Sequence, residues 1–338
     1  MSDTSRLQYF PINLFGATMG FGGLTLCLQL AYETLDISYY FFLASALFTI
    51  TIFTLITVTY LIKFIKHPKA VKSEFNHPIL LNFFPAFSIS LILMSLIFKD
   101  LAYSTAQIMW IIGTLIHFSL LIRILSSWIH HEKWQITDLS PTWFIPVVGT
   151  IVIPIGSIHY GTVEIGWFFF SIGLVFWVLL NSIVMYRLFF HPPMMRILEP
   201  TLFILIAPPA VGFISYMSLG GMAGLDEFAR VLFYVGLFMT ILLLSQISRF
   251  ISIPFALSWW AYTFPLAAMT MASFIMYQQT DIPMFAYFAV FLLVILASLV
   301  LHLTAKTIWA IKSKTLCVAL DNDDLPAKAH TAKMPNER

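Results

Sequence analysis

Three histidines within apolar segments are the side chains of this sequence best suited to do chemistry. His117, His159 and His302 each stand among hydrophobic residues, where a pair of histidines could ligate a b-type haem. Their spacing does not repeat and we expect them at different depths, which is unlike a haem-binding pair. A single histidine in a membrane helix more often makes a hydrogen bond to a neighbouring helix. A membrane haem protein or enzyme stays open as an alternative.

Other residues that could support catalysis or bind a metal are few and badly spaced for it. Ser157 follows Gly156 and stands two residues before His159, but it lacks the flanking glycines and the strand of a nucleophile elbow. The two cysteines, Cys27 and Cys317, lie at opposite ends of the chain, so they predict neither a disulfide framework nor a cysteine metal site. The sequence therefore predicts no metal, no cofactor and no enzymatic activity.

The composition is that of a protein that crosses a membrane many times. Hydrophobic residues make up 59% of the 338 residues and charged residues 10%, against about 25% charged residues in an average soluble domain. A membrane-spanning helix needs roughly 20 apolar residues. Ten such spans are predicted: 9–30, 38–64, 78–97, 101–127, 142–160, 164–189, 200–219, 225–248, 255–277 and 283–310. We therefore expect an all-α polytopic membrane protein with an N-terminal segment 1–8, a transmembrane domain 9–310 and a flexible tail 311–338.

Prolines distinguish the odd-numbered spans from the even-numbered ones. Every odd span has an interior or near-interior proline, and no even span has one beyond its first turn. An interior proline kinks a helix, and the carbonyl group that it frees must face protein or water rather than lipid. We therefore expect five helical hairpins, with kinked odd helices in an inner ring around a pore and straight even helices outside. The residues predicted to kink or line this pore are Gly16, Gly20, Pro85, Pro146, Pro208 and Pro265. Close helix packing is an equal alternative for the two glycines.

Basic residues are distributed unequally between the two sides of the predicted membrane. If the N-terminus is cytoplasmic, all of the 18 basic residues except Lys99 and Arg230 lie on the cytoplasmic side. Because Lys and Arg in short loops set orientation, both termini are predicted to be cytoplasmic, and no nucleic-acid partner is expected. Arg123 and Arg187 either reach lipid headgroups or form a positive cytoplasmic vestibule that concentrates anions. Lysines of the first cytoplasmic loop, beginning with Lys63, could add to that field.

The interiors of the odd spans contain no Lys, Arg, Asp or Glu. Ion-coupled pumps usually keep buried carboxylates or histidines as relays for protons or ions. The absence of charged relays favours a passive path along these spans, or one coupled by other groups.

An aromatic cluster in the ninth span includes one residue that is placed to close a pore. Phe264 directly precedes Pro265, so the kink could aim its ring toward the pore axis and gate the path by dewetting. The edge of a phenyl ring is weakly positive and tolerates an anion. From these physical arguments alone, packing is the commoner role for a phenylalanine in a membrane helix.

The segment 260–265, WAYTFP, resembles the gate-bearing helix of the tellurite-resistance/C4-dicarboxylate transporter family, which includes bacterial TehA and the slow-type anion channels of plant guard cells. Other segments are similar to this family in their order and spacing: FPINLFG at 10–16, HPILLNFFP at 77–85, WIIGT at 110–114, LEP at 198–200 and APP at 207–209. The resemblance covers roughly residues 9–310.

This resemblance implies a fold and an assembly. The family has ten transmembrane helices, arranged as five hairpins around a quasi-fivefold axis with the odd helices inside. It forms a homotrimer in which each protomer has its own pore, occluded by a phenylalanine that corresponds to Phe264. Bacterial relatives more often have glycine after this phenylalanine, where the present chain has Pro265.

The resemblance also implies a function. It predicts an anion-selective channel of the inner or plasma membrane that passes small inorganic anions such as chloride or nitrate. The alternative is a secondary transporter of the same family: a C4-dicarboxylate or sulfite permease, or an efflux route for tellurite or drugs. A dicarboxylate site would be expected to hold Arg or Lys deep in the pore, and the odd spans contain neither.

Overall fold

The computed structural model describes residues 3–131, 134–220 and 224–317, which form helices and connecting loops without any β-strand. The α-helices are α1 (Asp3–Gln8), α2 (Phe15–Leu35), α3 (Tyr39–Lys66), α4 (Pro68–Asn76), α5 (Phe84–Phe98), α6 (Tyr103–His130), α7 (Phe144–Tyr160), α8 (Val163–Phe190), α9 (Ala207–Leu219), α10 (Glu227–Leu244), α11 (Ile247–Ile251), α12 (Thr263–Thr280) and α13 (Pro283–Lys312). Within the predicted tail 311–338, residues 318–338 lie outside the described residues.

The long helices pack as five hairpins, each with a buried and an exposed member. The pairs are α2 with α3, α5 with α6, α7 with α8, α9 with α10, and α12 with α13. In the spans containing the first members of the first four pairs, 78% to 89% of the most apolar stretch is buried, whereas in the five second members only 22% to 33% is buried. Every residue of α12 from Thr263 to Phe274 is buried as well. The prediction of inner odd helices and outer even helices is confirmed.

The five buried helices form a closed ring. Helix α2 contacts α5, α5 contacts α7, α7 contacts α9, α9 contacts α12, and α12 returns to contact α2. The order of the helices around the ring is therefore their order along the chain, with the outer member of each hairpin packed on its own inner partner. A quasi-fivefold symmetry of this ring stays a prediction.

Nine segments of the described chain are long and apolar enough to cross a membrane. The ninth predicted span, 255–277, is not among them, because the threonine, serine and glutamine residues of α12 lower its mean hydropathy. This helix nevertheless lies within the ring against α2, α9 and α13. A helix enclosed by other helices can carry polar side chains that a lipid-facing helix would expose to hydrocarbon. The count of ten membrane-spanning helices stays a prediction.

Each inner α-helix is preceded by a 3-10 segment, and we call the two together an inner segment. These 3-10 segments are Ile12–Leu14, Leu80–Phe83, Pro141–Trp143, Arg196–Ile206 and Leu257–Tyr262. The prolines at 85, 146, 208 and 265 lie in the first turn of the following α-helix, and Pro154 of α7 lies deeper. Their position differs from the interior kinks that we expected. The first N–H groups of an α-helix have no intrahelical acceptor, so proline is tolerated there.

The end of the molecule where the inner segments begin contains a buried ion pair. Lys63 of α3 is 1% exposed, lies 2.8 Å from a carboxylate oxygen of Glu74 in α4, and donates to the backbone oxygen of Phe10 at 2.7 Å. The Tyr60 hydroxyl donates to the same carboxylate at 2.7 Å. These bonds join α3, α4 and the chain just before the first inner segment, so the charge of Lys63 is paired with that of Glu74 within the protein. The other lysines of this loop are exposed: Lys66, Lys69 and Lys72.

Candidate functional site

The ring encloses a cavity near the start of its inner segments, which we call the Asn13 cavity. Its volume is about 40 Å³. All five inner segments contribute to its lining, and no residue of the outer helices does. One lining residue from each inner segment is Gly16, Ile89, Val148, Ala207 and Pro265. The lining is almost wholly apolar, so an ion in this cavity would lose most of its water.

A second and larger cavity, which we call the Lys99 cavity, lies toward the ends of the same segments. Its volume is about 200 Å³. It too is lined by all five inner segments and by no outer helix, with Leu26, Leu93, Val152, Val211 and Met271 as one representative from each. Both cavities therefore lie on the axis of the helix ring.

Of the two cavities, only the Lys99 cavity has titratable Lys, Glu or His side chains among its described lining residues. Lys99 directly follows α5, Glu33 lies in the last turns of α2, and His159 lies in the last turn of α7. Gln29 also lines this cavity and donates to Glu33 Oε1 at 3.1 Å. The Lys99 cavity therefore contains groups of both signs, and it is more hydrophilic than the Asn13 cavity.

Phe264 is shared by the linings of the two cavities. It is the second residue of α12, and it is 5% exposed. Its ring faces α2, since a Cβ atom added to Gly23 would lie 3.6 Å from Phe264 Cδ2. The side chain thus stands at the boundary between the two spaces, with the other four inner segments around it.

Glycines of α2 let α12 approach closely at the level of Phe264. A Cβ atom on Gly20 would overlap the Thr263 hydroxyl, and a Cβ atom on Gly23 would lie 2.6 Å from Ala267 Cβ. Gly16 lines the Asn13 cavity, whereas Gly20 lines neither cavity. Gly20 therefore has a packing role in the structure, and it sets the distance between α2 and the helix that carries Phe264.

We expect Gly20→Ala to lower the free energy of unfolding by about 1–3 kcal/mol, because the added methyl group must displace Thr263 in a packed interface. Thermal unfolding of the purified protein in detergent measures this loss. Gly16→Ala is the matched control on the same helix, since its Cβ atom would lie at an ordinary 3.6 Å from Trp260 Cβ. Equal losses in the two variants would contradict the packing role of Gly20.

The predicted pore prolines are distributed between the cavity wall and the helix contacts. Pro265 lines the Asn13 cavity, while Pro85, Pro146 and Pro208 are buried and line neither cavity. The backbone oxygen of Pro146 accepts a hydrogen bond from His117 Nε2 at 2.8 Å. That of Pro85 accepts one from Ser88 Oγ at 2.9 Å. Side chains thus satisfy carbonyl groups near these prolines, as membrane helices require.

The two arginines of the predicted vestibule lie on outer helices. Arg123 is exposed on α6, and Arg187 in the last turn of α8 is 5% exposed, with its Nη1 donating to the backbone oxygen of Pro192 at 2.8 Å. Neither residue lines the Asn13 cavity or the Lys99 cavity. A positive vestibule built from them stays a prediction.

The three histidines lie in separate environments. His117 of α6 is fully buried, with Nε2 bonded to Pro146 and Nδ1 2.9 Å from Ser88 Oγ, so both ring nitrogens already have partners. His159 lines the Lys99 cavity, and His302 is exposed on α13 with its ring stacked near Trp259. No cluster of three or more His, Cys, Asp or Glu residues suitable for a metal ion occurs in the described part of the chain. His117 joins helices and is not free to ligate haem iron.

Sequence reasoning missed the polar residues that line the two cavities. Asn13 lines the Asn13 cavity and lies two residues after Pro11 among hydrophobic residues. A single polar residue in an otherwise apolar part of an odd span could have indicated this position from the sequence. Glu33 and Lys99 lie beyond the predicted span ends, where loops and pore mouths cannot be distinguished by composition.

Comparison with known proteins adds an independent finding. A family model described as SLAC1, voltage-dependent anion channel, matches residues 9–308. The chain is 26% identical over 300 residues to a Methanocaldococcus jannaschii protein named an uncharacterized transporter, covering 81% of this chain and 86% of that protein. It is 29% identical over 221 residues to the S-type anion channel SLAH2 of Arabidopsis thaliana, covering 64% and 42% of the respective chains. It is 26% identical over 277 residues to the guard cell S-type anion channel SLAC1 of the same plant, covering 79% and 50%. The chain spans half or less of the length of these two plant channels.

Proposed function

Because the chain belongs to the SLAC1 family of voltage-dependent anion channels, we propose that it forms a channel through which small monovalent anions such as chloride or nitrate pass passively. The observation that carries this proposal is the arrangement of the Asn13 and Lys99 cavities. Both are lined by all five inner segments, and among the described residues Phe264 alone lines both. In this proposal the two cavities are parts of one conduit, and the Phe264 ring closes the conduit between them.

The lining supports selection by ease of dehydration rather than by a strong binding site. In the part of the chain that the structure describes, no Lys, Arg, Asp or Glu lines the Asn13 cavity. A conduit conducts only when binding is weak enough for the ion to leave, and an apolar wall of ring edges and methyl groups meets that condition. Weakly hydrated monovalent anions enter such a space at a lower cost than dianions.

The charge distribution along the sequence supports an orientation with both termini in the cytoplasm. In this orientation the Asn13 cavity opens toward the cytoplasm and the Lys99 cavity toward the other side. We also propose the homotrimer implied by the family resemblance, with one conduit in each protomer.

A coupled transporter is the second candidate, and the Lys99 cavity favours it. Lys99, Glu33 and His159 are titratable groups that face the larger cavity, and titratable groups in a membrane path can relay protons. The M. jannaschii relative also bears the name of a transporter. The apolar Asn13 cavity favours the channel, because it provides no group to continue such a relay.

Reversal potentials distinguish the two candidates. For the purified protein in planar bilayers, we expect the reversal potential to follow the chloride gradient by about 59 mV for each tenfold ratio, as for a passive path of unit charge. A pH gradient imposed at a fixed chloride gradient should leave this potential unchanged. A shift that follows the pH gradient would show proton coupling and would overturn the channel proposal.

A further inference from the structure

One polar side chain stands in the otherwise apolar Asn13 cavity without any partner in the protein. Asn13 lies in the 3-10 segment Ile12–Leu14, and its Oδ1 atom is buried without a hydrogen bond. Across the described residues, the Asn13 side-chain amide makes no hydrogen bond at all. A buried acceptor without a partner costs roughly 1–3 kcal/mol, and this cost falls on Oδ1. The residue as a whole is half-buried, and its Nδ2–H groups are free to donate to an occupant of the cavity.

The other polar side chain in the cavity lining is already engaged. Trp260 Nε1 donates to Thr307 Oγ1 at 3.1 Å, which leaves the Asn13 amide as the side-chain donor free to bond an occupant. The cavity is small, at about 40 Å³, and the rest of its lining is apolar. An anion that enters must therefore shed most of its hydration shell beside this amide.

A second asparagine occupies the corresponding position of the next inner segment and is used differently. Asn82 stands two residues before the first residue of α5, as Asn13 does before the first residue of α2. Its Nδ2 donates to the backbone oxygen of Pro78 at 3.1 Å and to Thr142 Oγ1 at 3.3 Å. The Oδ1 atom is unpartnered in both residues, so the two asparagines differ in their N–H groups, and only Asn13 faces the cavity.

We propose that the Asn13 amide donates a hydrogen bond to the partly dehydrated anion in this cavity and sets the selectivity among monovalent anions. The inference rests on the proposed function and adds a specificity-determining residue to it. A hydrogen bond from an N–H group compensates most for lost water around a small, strongly hydrated anion such as chloride. It matters less for a large, weakly hydrated anion such as thiocyanate.

The test uses the full chain in planar bilayers with Phe264→Ala as the conducting background. Replacement Asn13→Ala should raise the permeability of thiocyanate relative to chloride by about three- to tenfold, since one hydrogen bond to a charged partner is lost. Asn13→Ser, which keeps one donor, should give a smaller rise. Asn13→Asp, similar in shape but a charged acceptor, should suppress the currents of both anions.

Asn82→Ala is the matched control, because it removes the equivalent amide from a helix contact outside the cavity. It should lower thermal stability and leave the relative permeability unchanged. An unchanged permeability ratio in Asn13→Ala, with a conducting Phe264→Ala background, would overturn the role of Asn13 alone. Absence of anion current from a folded Phe264→Ala background would instead contradict the proposed channel. An Asn82→Ala shift equal to that of Asn13→Ala would assign the effect to altered structure.

Discussion

Replacing Phe264 by alanine should raise the anion current through the protein by at least roughly tenfold. The ring lies at the boundary of two cavities and is 5% exposed. Its removal joins the Asn13 cavity to the Lys99 cavity, so that a hydrated path replaces a hydrophobic constriction. A tenfold rise in the permeation rate corresponds to a decrease of about 1.4 kcal/mol in the free-energy barrier to permeation. This decrease is smaller than the transfer free energy of one buried phenyl ring. Chloride or nitrate currents in planar bilayers at matched protein density measure the change.

Phe274 provides a matched control on the same helix. It is fully buried in α12 and lines neither cavity. Phe274→Ala should destabilise the protein by about 3–5 kcal/mol without raising the current. Phe264→Leu should keep most of the closure because a branched side chain still fills the constriction. The gating role of Phe264 would be contradicted if folded Phe264→Ala protein carried the wild-type current. It would also be contradicted if Phe274→Ala raised the current as much as Phe264→Ala does.

The architecture of the ring could be predicted from the sequence because the lipid environment restricts what a helix can contain. Inner helices are shielded from lipid and can therefore accept proline, and proline marked the odd spans correctly, although most of these prolines lie in first turns and not at interior kinks. The same rule explains why α12 is the least apolar of them. Its neighbours α2, α9 and α13 cover it, and its threonines and serines bond to backbone oxygens of its own chain, as Thr270 does to Leu266.

The detailed path through each inner segment could not be predicted, because it depends on where a 3-10 segment becomes an α-helix. Proline is compatible with a kink inside a helix and with a first turn, and local sequence does not separate these cases. Pro265 lies in the first turn of α12, so Phe264 is the second residue of that helix. The position of its ring is therefore set by the junction between the 3-10 segment and α12, and not by a bend inside the helix. Similarly, the lysines near 63–72 look alike in the sequence, and only tertiary contacts show that Lys63 is buried against Glu74.

The role of His117 is decided by the residues that its ring contacts and not by its being a histidine in a membrane helix. For a single membrane histidine the sequence favoured a hydrogen bond to a neighbouring helix over haem ligation, and the His117 ring indeed joins α6 to Ser88 of α5 and to Pro146 of α7. Helices α5 and α7 are neighbours in the ring. An outer helix therefore joins two inner ones through a single imidazole.

A large loss of stability is expected on removal of this imidazole. His117→Ala removes two interhelical hydrogen bonds, worth about 0.6 kcal/mol each by the average for membrane helices, and leaves a void in a fully buried site. With the packing term included, we expect a loss of about 3 kcal/mol. Packing thus outweighs hydrogen bonding at this site. Reversible unfolding in mixed micelles, followed by tryptophan fluorescence, measures the loss.

Gly149 of α7 provides a second test of the His117 contacts, because a Cβ atom added there would overlap the His117 ring. Gly149→Ala should therefore destabilise the wild-type protein by about 1–3 kcal/mol. In the His117→Ala background the same methyl group enters the void, and alanine favours a helix over glycine by about 0.5–1 kcal/mol. The sign of the Gly149→Ala effect should reverse between the two backgrounds, and the double-mutant cycle should give a coupling of at least about 1.5 kcal/mol. Additive losses would mean that the imidazole does not occupy the space above Gly149, and the proposed bridge between α5 and α7 would then be wrong.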